Sequence, residues 1–511
     1  MHLTRRSDTF SDCDMPERQP NILMIITDSQ RYDTVAALGN PIIKTPVLDR
    51  LVREGTAFTS AYTPSPMCVP ARCALLYGQY PSHTGCYDNV TGMPTDGRAS
   101  FIEALADNGY HTHGIGKTHF TPDPNAMRGF QTRLTQAEVA LSPDADDYLR
   151  FLHDQGFDHV CDPHGPRGET MTLPHPSQLP ARLHPSQWIG DRTVEFIDDA
   201  NGKRPWFVYS SFVHPHPPWT PPNPWHKLYR PMQMPVPNVP PGYESLWTWV
   251  NRDERRAVFR DQGVDWNLLR AMKAYYYACI SFIDYQVGQM LAALHRRGQL
   301  DDTLILFLSD HGDHLGDYLT FHLGSMHDSC ARIPLLVRWP DRFKADVRCP
   351  RPVTLLDVAP TVLHAAGVGH TLDLDGQDLG QIADGRVERS AAFIQFLYAE
   401  KGIYAVVTDD WKYAYSAGDD VEFLFDRRND PQETQNVANL PLTGQVQAAL
   451  KRVLLDHLRD VGEGSAVDGN QWNRYPEWKQ PVEPIIGQRV YDHPWADLYI
   501  PGYSDDTDRL C

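Results

Sequence analysis

Cys68 opens the stretch Cys68-Val69-Pro70-Ala71-Arg72-Cys73-Ala74-Leu75-Leu76-Tyr77-Gly78, whose residue types and spacing point to nucleophilic chemistry. A cysteine at a loop end, a proline placed for a first helical turn, a short apolar run and a closing glycine predict loop, helix and stop. Cys68 then lies at a helix N-terminus, where free backbone N–H groups and the helix dipole favour an anion. Arg72, one turn along, adds a fixed positive charge. The setting suits a nucleophile facing an anionic substrate.

Four further positions carry reactive groups: Asp28, Lys117 with His119, His216, and Asp310 with His311. Asp28 and Asp310 offer hard oxygen ligands suited to calcium, manganese or magnesium. The paired Cys and His spacing of a zinc site is lacking. A cation there would polarise the nucleophile and neutralise charge on a transferred group. Lys117, His119 and His216 would hold anionic oxygens and move protons. Taken singly, each has an ordinary role: an Asp after a strand caps a helix, and a histidine in a proline-rich loop packs. The chemical reading depends on their convergence.

Strands must bring them there. Asn21 to Thr27 is a continuous apolar run that suits a strand covered on both faces, and it ends at Asp28. Thr303 to Ser309 repeats the pattern and ends at Asp310. A short strand over 112–115 leads to Lys117, and one over 205–213 leads to His214 and His216. Ligands of open α/β folds gather beyond the carboxyl ends of strands, so these ends belong to one rim. Helices are expected over 45–55, 101–108, 188–200, 268–297 and 355–366, with a further short strand over 333–337. Segment 121–190, rich in Pro, His and Asp, and segment 219–262, with many Pro and Trp, read as loop excursions over the site. Short runs at 391–397, 404–408, 411–415 and 422–425 predict an antiparallel sheet, followed by one helix over 441–461. The fold class is therefore α/β, a large mixed and mostly parallel sheet sandwiched by helices, with a smaller C-terminal antiparallel sheet and helix. The expected divisions are an arm at 1–19, a catalytic domain at 20–390, a subdomain at 391–462 and a tail at 463–511.

Cys-x-Pro-x-Arg with its Leu-x-x-Gly-like tail resembles the signature of the type I sulfatases, of the alkaline phosphatase superfamily. Asn21 to Arg31, with Lys44-Thr45-Pro46-Val47-Leu48-Asp49-Arg50-Leu51, is similar to the opening of sulfatases and phosphonate monoester hydrolases. Gly116-Lys117-Thr118-His119 resembles the family's Gly-Lys-x-His, and Ser309-Asp310-His311-Gly312-Asp313 with Leu315-Gly316-Asp317 resembles its second metal motif. Tyr87-Asp88-Asn89 and His214-Pro215-His216-Pro217-Pro218 are most similar to the choline-sulfatase and phosphonate-hydrolase branch. Trp411-Lys412-Tyr413 also fits, so the resemblance spans roughly 20–440.

The resemblance implies that Cys68 is oxidised to formylglycine by a formylglycine-generating enzyme, and that Arg72 orients it. Asp28, Ser29, Asp310 and His311 are implied to bind one divalent metal ion per subunit, calcium or manganese before magnesium. Asn89, Lys117, His119 and His216 would contact the sulfuryl group of a small anionic ester. His216 would protonate the leaving oxygen and His119 deprotonate the second hydroxyl of the hydrated aldehyde. Two departures stand out. Ser29, with Gln30 one place on, occupies the position where the family often has a second acid or amide. Leu323 stands where the family usually has a leaving-group lysine, with His322 as the expected replacement. Lys117 and His119 favour sulfuric esters over the alternative phosphonate monoester or phosphodiester substrates, whose hydrolases in this branch tend to lack that pair. A metal-binding protein without catalysis is the remaining rival.

With 511 residues and 41% hydrophobic content, the chain can bury a large core. A net charge of -18 excludes nucleic acid and anionic membrane as partners, since both would be repelled at long range. No apolar run suggests a membrane span, and residues 1–20 lack the apolar centre of a secretory signal, so a cytoplasmic enzyme is expected. Nine scattered cysteines, an odd count, fit a reducing compartment, with Cys73, Cys86, Cys161, Cys279 and Cys330 as packing residues. The Trp- and Tyr-rich tail predicts a homodimer or homotetramer.

Overall fold

The structure is a computed structural model that describes residues 19–139, 142–160, 162–167, 171–259, 264–369 and 371–478. The expected arm at 1–19, Cys161 and most of the tail, from 479 onward, fall outside the described residues, apart from Gln19.

The main sheet has eight strands. In chain order the first strands are β1 (Asn21–Thr27), β2 (Thr56–Phe58), β3 (Ala61–Tyr62), β4 (His111–Gly116) and β5 (Thr132–Thr135). They are followed by β6 (Trp206–Ser211), β7 (Thr303–Ser309), β8 (Leu335–Arg338), β9 (Val347–Cys349) and β10 (Val353–Thr354). Across the sheet the order is β5-β4-β6-β1-β7-β8-β2-β9, while β3 and β10 pair separately. β8 runs antiparallel to both β7 and β2, and the other pairings of the main sheet are parallel.

β1 lies at the centre because each of its faces can be buried. Ile22, Met24 and Ile26 join Leu304, Leu306 and Leu308 beneath the helices Cys68–Tyr77, Phe101–Asp107 and Val358–Ala365. Leu23 and Ile25 point the other way, with Ile305 and Phe307, against Pro46–Glu54, Pro185–Asp199 and the long helix Trp266–Arg296. The period of two thus sends alternate residues into two separate cores.

A second sheet, formed by β11 (Ala392–Phe396), β12 (Ile403–Val407), β13 (Trp411–Ser416) and β14 (Val421–Asp426), is an antiparallel meander. Tyr404, Val406, Tyr413 and Leu424 on one face bury against Leu454, Leu455 and Leu458 of the helix Gly444–Asp460. The first part of the tail returns to this sheet. Trp472 stacks on Tyr415 with ring centroids 4.3 Å apart and donates from Nε1 to Tyr413 Oη at 3.0 Å.

Three segments differ from the expectation drawn from sequence. Segment 121–190 is more than an excursion, because Thr132–Thr135 adds the edge strand of the main sheet and Asp147–Asp154 forms a helix capped by Asp146. Segment 219–262 includes a helix, Trp249–Phe259. The strand expected over 333–337 is shifted to Leu335–Arg338, because Ile333 N–H is already bonded to Ala61 O, upstream of the ladder with β7.

Burial also makes the fold acid-sensitive. His113 is held down to about 4, and His164, His184 and His457 to about 3, first because burial disfavours the charged ring. Between those values and the unfolded value of about 6.5 the unfolded chain binds more protons, so stability falls as pH drops through that window. Asp284 and Asp313, raised to about 7 by burial, take up protons on the folded side and act the other way, so urea midpoints are expected to fall between pH 7 and 5 by less than the four rings alone would give. An unchanged midpoint at pH 5 would contradict the neutral state of these rings.

Candidate active site

The register of the central strands sets the site. Thr27 pairs with Ser309, Ile26 with Ser211, and Gly116 with Ser211, so β4, β6, β1 and β7 end together. Asp28 and Asp310 therefore follow neighbouring strands, whose spacing is about 4.8 Å. Lys117 follows β4 because Gly116 has φ 91 and hugs β6; a Cβ there would meet Ser211 O at 2.1 Å.

Cys68 is the first residue of its helix, as expected, and Gly78 closes it with φ 63. Pro70 falls within the first turn, where its missing N–H costs no intrahelical bond. The orphan N–H of Val69 donates to Asn89 Oδ1 at 3.0 Å. Asn89 thus caps the helix that carries Cys68.

Cys68 Sγ lies 3.1 Å from His311 Nε2 and 4.0 Å from Asp28 Oδ1, and the residue is 1% exposed. His311 Nδ1–H donates to Gly312 O at 2.8 Å, which turns the Nε2 lone pair toward Cys68. Asp28 Oδ1 and Asp310 Oδ1 are each 3.8 Å from that nitrogen. Ser29, with φ 62, ties the two acids together: its N–H donates to Asp310 Oδ1 at 3.2 Å and its hydroxyl to Asp28 Oδ1 at 3.0 Å. Gln30 turns its amide to Thr34 Oγ1.

Arg72 crosses beneath. Nε donates to Asp310 Oδ2 at 2.9 Å and Nη2 to Asp28 Oδ2 at 3.1 Å. Nη1 donates to Lys117 O, Ser211 Oγ and Tyr209 Oη at 2.8, 2.9 and 3.2 Å. Lys117 Nζ sits 2.6 Å from Asp28 Oδ2 and also pairs with Glu138. Glu138 in turn receives Arg167 Nη1 at 2.7 Å and faces His216 Nε2 at 3.4 Å. His216 Nδ1–H donates to Pro217 O at 2.5 Å, so Nε2 is the ring position that can lose or gain a proton.

These contacts set the charge states. Burial favours the neutral form of both acids; Lys117, His216 and Arg72 overcome it at Asp28, which is held well below the usual range. Asp310 is raised, by burial and by the charge of Asp28. Burial and then Asp28 push the Cys68 thiol well up, which disfavours the thiolate. His119 is held down to about 3 by burial and by Lys117, and its Nδ1 is buried with no hydrogen-bond partner among the described residues.

Among the described residues, one group of His, Cys, Asp and Glu side chains has the spacing of a metal site: Asp28, Cys68, Asp310 and His311, all buried. The donors fit a divalent cation, with two carboxylate oxygens and a lone pair of fixed tautomer converging on one gap. Sequence reasoning therefore placed Asp28, Cys68, Arg72, Lys117, Asp310 and His311 in one cluster, with Ser29 bonded to its acids. It missed Glu138 and Arg167, which share segment 121–190 and have no local pattern to mark them. Tyr209 and Ser211, the neutral acceptors of Arg72, could have been found from the end of β6. The structure brings His322 to Glu254, with Nε2 4.0 Å from Oε2.

Comparison with known proteins agrees with this geometry. Residues 20–368 match the sulfatase family, and residues 316–460 match the C-terminal family of N-sulphoglucosamine sulphohydrolase. A choline-sulfatase of Rhizobium meliloti is 31% identical over 456 residues, covering 85% of this chain and 86% of the relative. An arylsulfatase of Clostridium perfringens is 27% identical and covers 89% of this chain and 97% of its own. In fold, the phosphonate monoester hydrolase of Agrobacterium radiobacter superposes with a TM-score of 0.75 at 23% identity, covering 88% of this chain and 98% of its own. Since the first match runs through both acid-bearing strand ends and the Cys68 helix, the chain belongs to the sulfatase family of hydrolases.

Proposed function

We propose that the chain hydrolyses sulfuric esters with a formylglycine made from Cys68 and one divalent cation held by Asp28, Asp310 and His311. The observation that carries this reading is the seat of Cys68, a buried side chain at a helix N-terminus within 3.1 Å of His311 Nε2 and 4.0 Å of Asp28 Oδ1. A hydrated aldehyde there supplies a hydroxyl nucleophile that needs no low thiol pKa, and the cation supplies charge neutralisation on the transferred group.

The chain's own groups do the rest. Arg72 holds both carboxylates in place, and Lys117 and the Asn89 amide offer donors to the sulfuryl oxygens. His119, neutral and with Nδ1 unpartnered, accepts a proton from the nucleophilic side, while His216 Nε2, once it has taken up a proton beside Glu138, delivers that proton to the leaving oxygen. Calcium or manganese is the expected ion, with magnesium as the third choice.

A second reading, hydrolysis of phosphonate monoesters or phosphodiesters, is favoured by the backbone likeness to a phosphonate monoester hydrolase. These esters carry one negative charge, as sulfate esters do, so one site can serve both.

Coexpression with a formylglycine-generating enzyme is expected to lower the mass of the Cys68 peptide and to give turnover of p-nitrophenyl sulfate. An unmodified thiol alongside full activity would sink the nucleophile assignment. Chelation of the loaded enzyme should cut kcat by about 100-fold or more and be reversed by the native ion, whose identity the add-back series reads out. Activity indifferent to chelator would remove the cation from the proposal.

A further inference from the structure

Glu138 is a buried acid in contact with Lys117 and His216 that the proposed chemistry leaves unused. Its carboxylate, 8% exposed, sits among groups from three segments: the cations Lys117 after β4 and Arg167 from the loop before Pro185–Asp199, and the imidazole of His216 after β6. Lys117 and His216 are the same groups proposed to meet the substrate's oxygens. Buried ion pairs add little net stability compared with apolar packing, so a carboxylate kept there invites a role in selectivity.

The site's charges are closely matched. Three carboxylates, Asp28, Asp310 and Glu138, face three fixed cations, Arg72, Lys117 and Arg167. A divalent ion then leaves an excess of about two positive charges, and loss of Glu138 would raise it to about three. The field of Glu138 extends to the nucleophile position, since it is among the charges that raise the Cys68 thiol.

We propose that Glu138 is the specificity-determining charge of the site, offsetting Lys117 and Arg167 so that monoanionic esters are favoured over dianionic phosphate monoesters. This rests on the ester-hydrolase reading above and adds the substrate's charge class to it. A dianion gains more than a monoanion from each added positive charge, so the ratio between the two substrates reports Glu138 directly.

The experiment compares kcat/KM for p-nitrophenyl phosphate and p-nitrophenyl sulfate in the matured, metal-loaded enzyme. Glu138→Gln is expected to raise the phosphate-to-sulfate ratio at least about tenfold, and Glu138→Asp to keep it within about threefold. Arg167→Gln should move the ratio the opposite way, a signature that a loosened structure would not produce. In parallel, affinities for phenyl phosphate and phenyl sulfate are measured in the Cys68→Ala background, with no turnover required. If wild type hydrolyses neither ester, the functional reading fails, yet the affinity ratio still decides the role of Glu138. A ratio unmoved in Glu138→Gln by both readouts overturns the inference, as does a shift of the same sign in Arg167→Gln.

Discussion

Cys68→Ala is expected to abolish ester hydrolysis, with kcat/KM on p-nitrophenyl sulfate falling by about 10⁴-fold or more while the protein still folds. The change deletes one buried sulfur from the start of a helix whose remaining residues are also buried. Stability should therefore drop by only about 1–2 kcal/mol, and the cap from Asn89 to Val69 should persist. The two readouts separate the roles. A variant that melts normally but does not turn over places the chemistry on Cys68. Retention of wild-type kcat/KM within tenfold would refute the assignment outright, whatever the stability.

The largest stability effect is expected at Arg72. Its side chain is 1% exposed and bridges two carboxylates that are fully buried. Arg72→Ala strips Asp28 and Asp310 of a shared partner, and breaking a buried ion pair from one side costs about 3–5 kcal/mol. Ser211, Tyr209 and the Lys117 carbonyl lose a donor as well. A bound divalent cation neutralises the same two acids, so the penalty should be greater in metal-free than in metal-loaded protein. Urea unfolding of both forms measures it. A loss under 1 kcal/mol without metal would show that the acids are protonated or hydrated instead.

The parts of this site that could be read from sequence share a physical origin. Asp28 and Asp310 end apolar runs long enough to identify a central strand, and a parallel sheet aligns such ends without further information. Cys68 is marked by helix punctuation. Lys117 follows a glycine that the packing of β4 on β6 demands. Glu138 and Arg167 have no such markers, because the folding of segment 121–190 over the rim, not periodicity, brings them to Lys117. β5 was hidden for a related reason: as an edge strand with partly exposed Arg133, Leu134 and Thr135, it lacks the apolar run of a central strand. The helix Trp249–Phe259 was obscured by the Pro- and Trp-rich stretch around it.

The depth of Cys68 also imposes an order of events in time. Asp28 lies 40 residues before it and His311 243 residues after it, and together they seal the thiol off from bulk water. On the proposed formylglycine reading, the converting enzyme would have to meet this segment while it is still extended, before β7 docks beside β1. For a chain emerging from the ribosome, that interval closes once the stretch around residue 310 has been synthesised and has paired. Slowing that pairing should raise the matured fraction; refolding finished protein in the absence of the maturation enzyme should leave it unchanged.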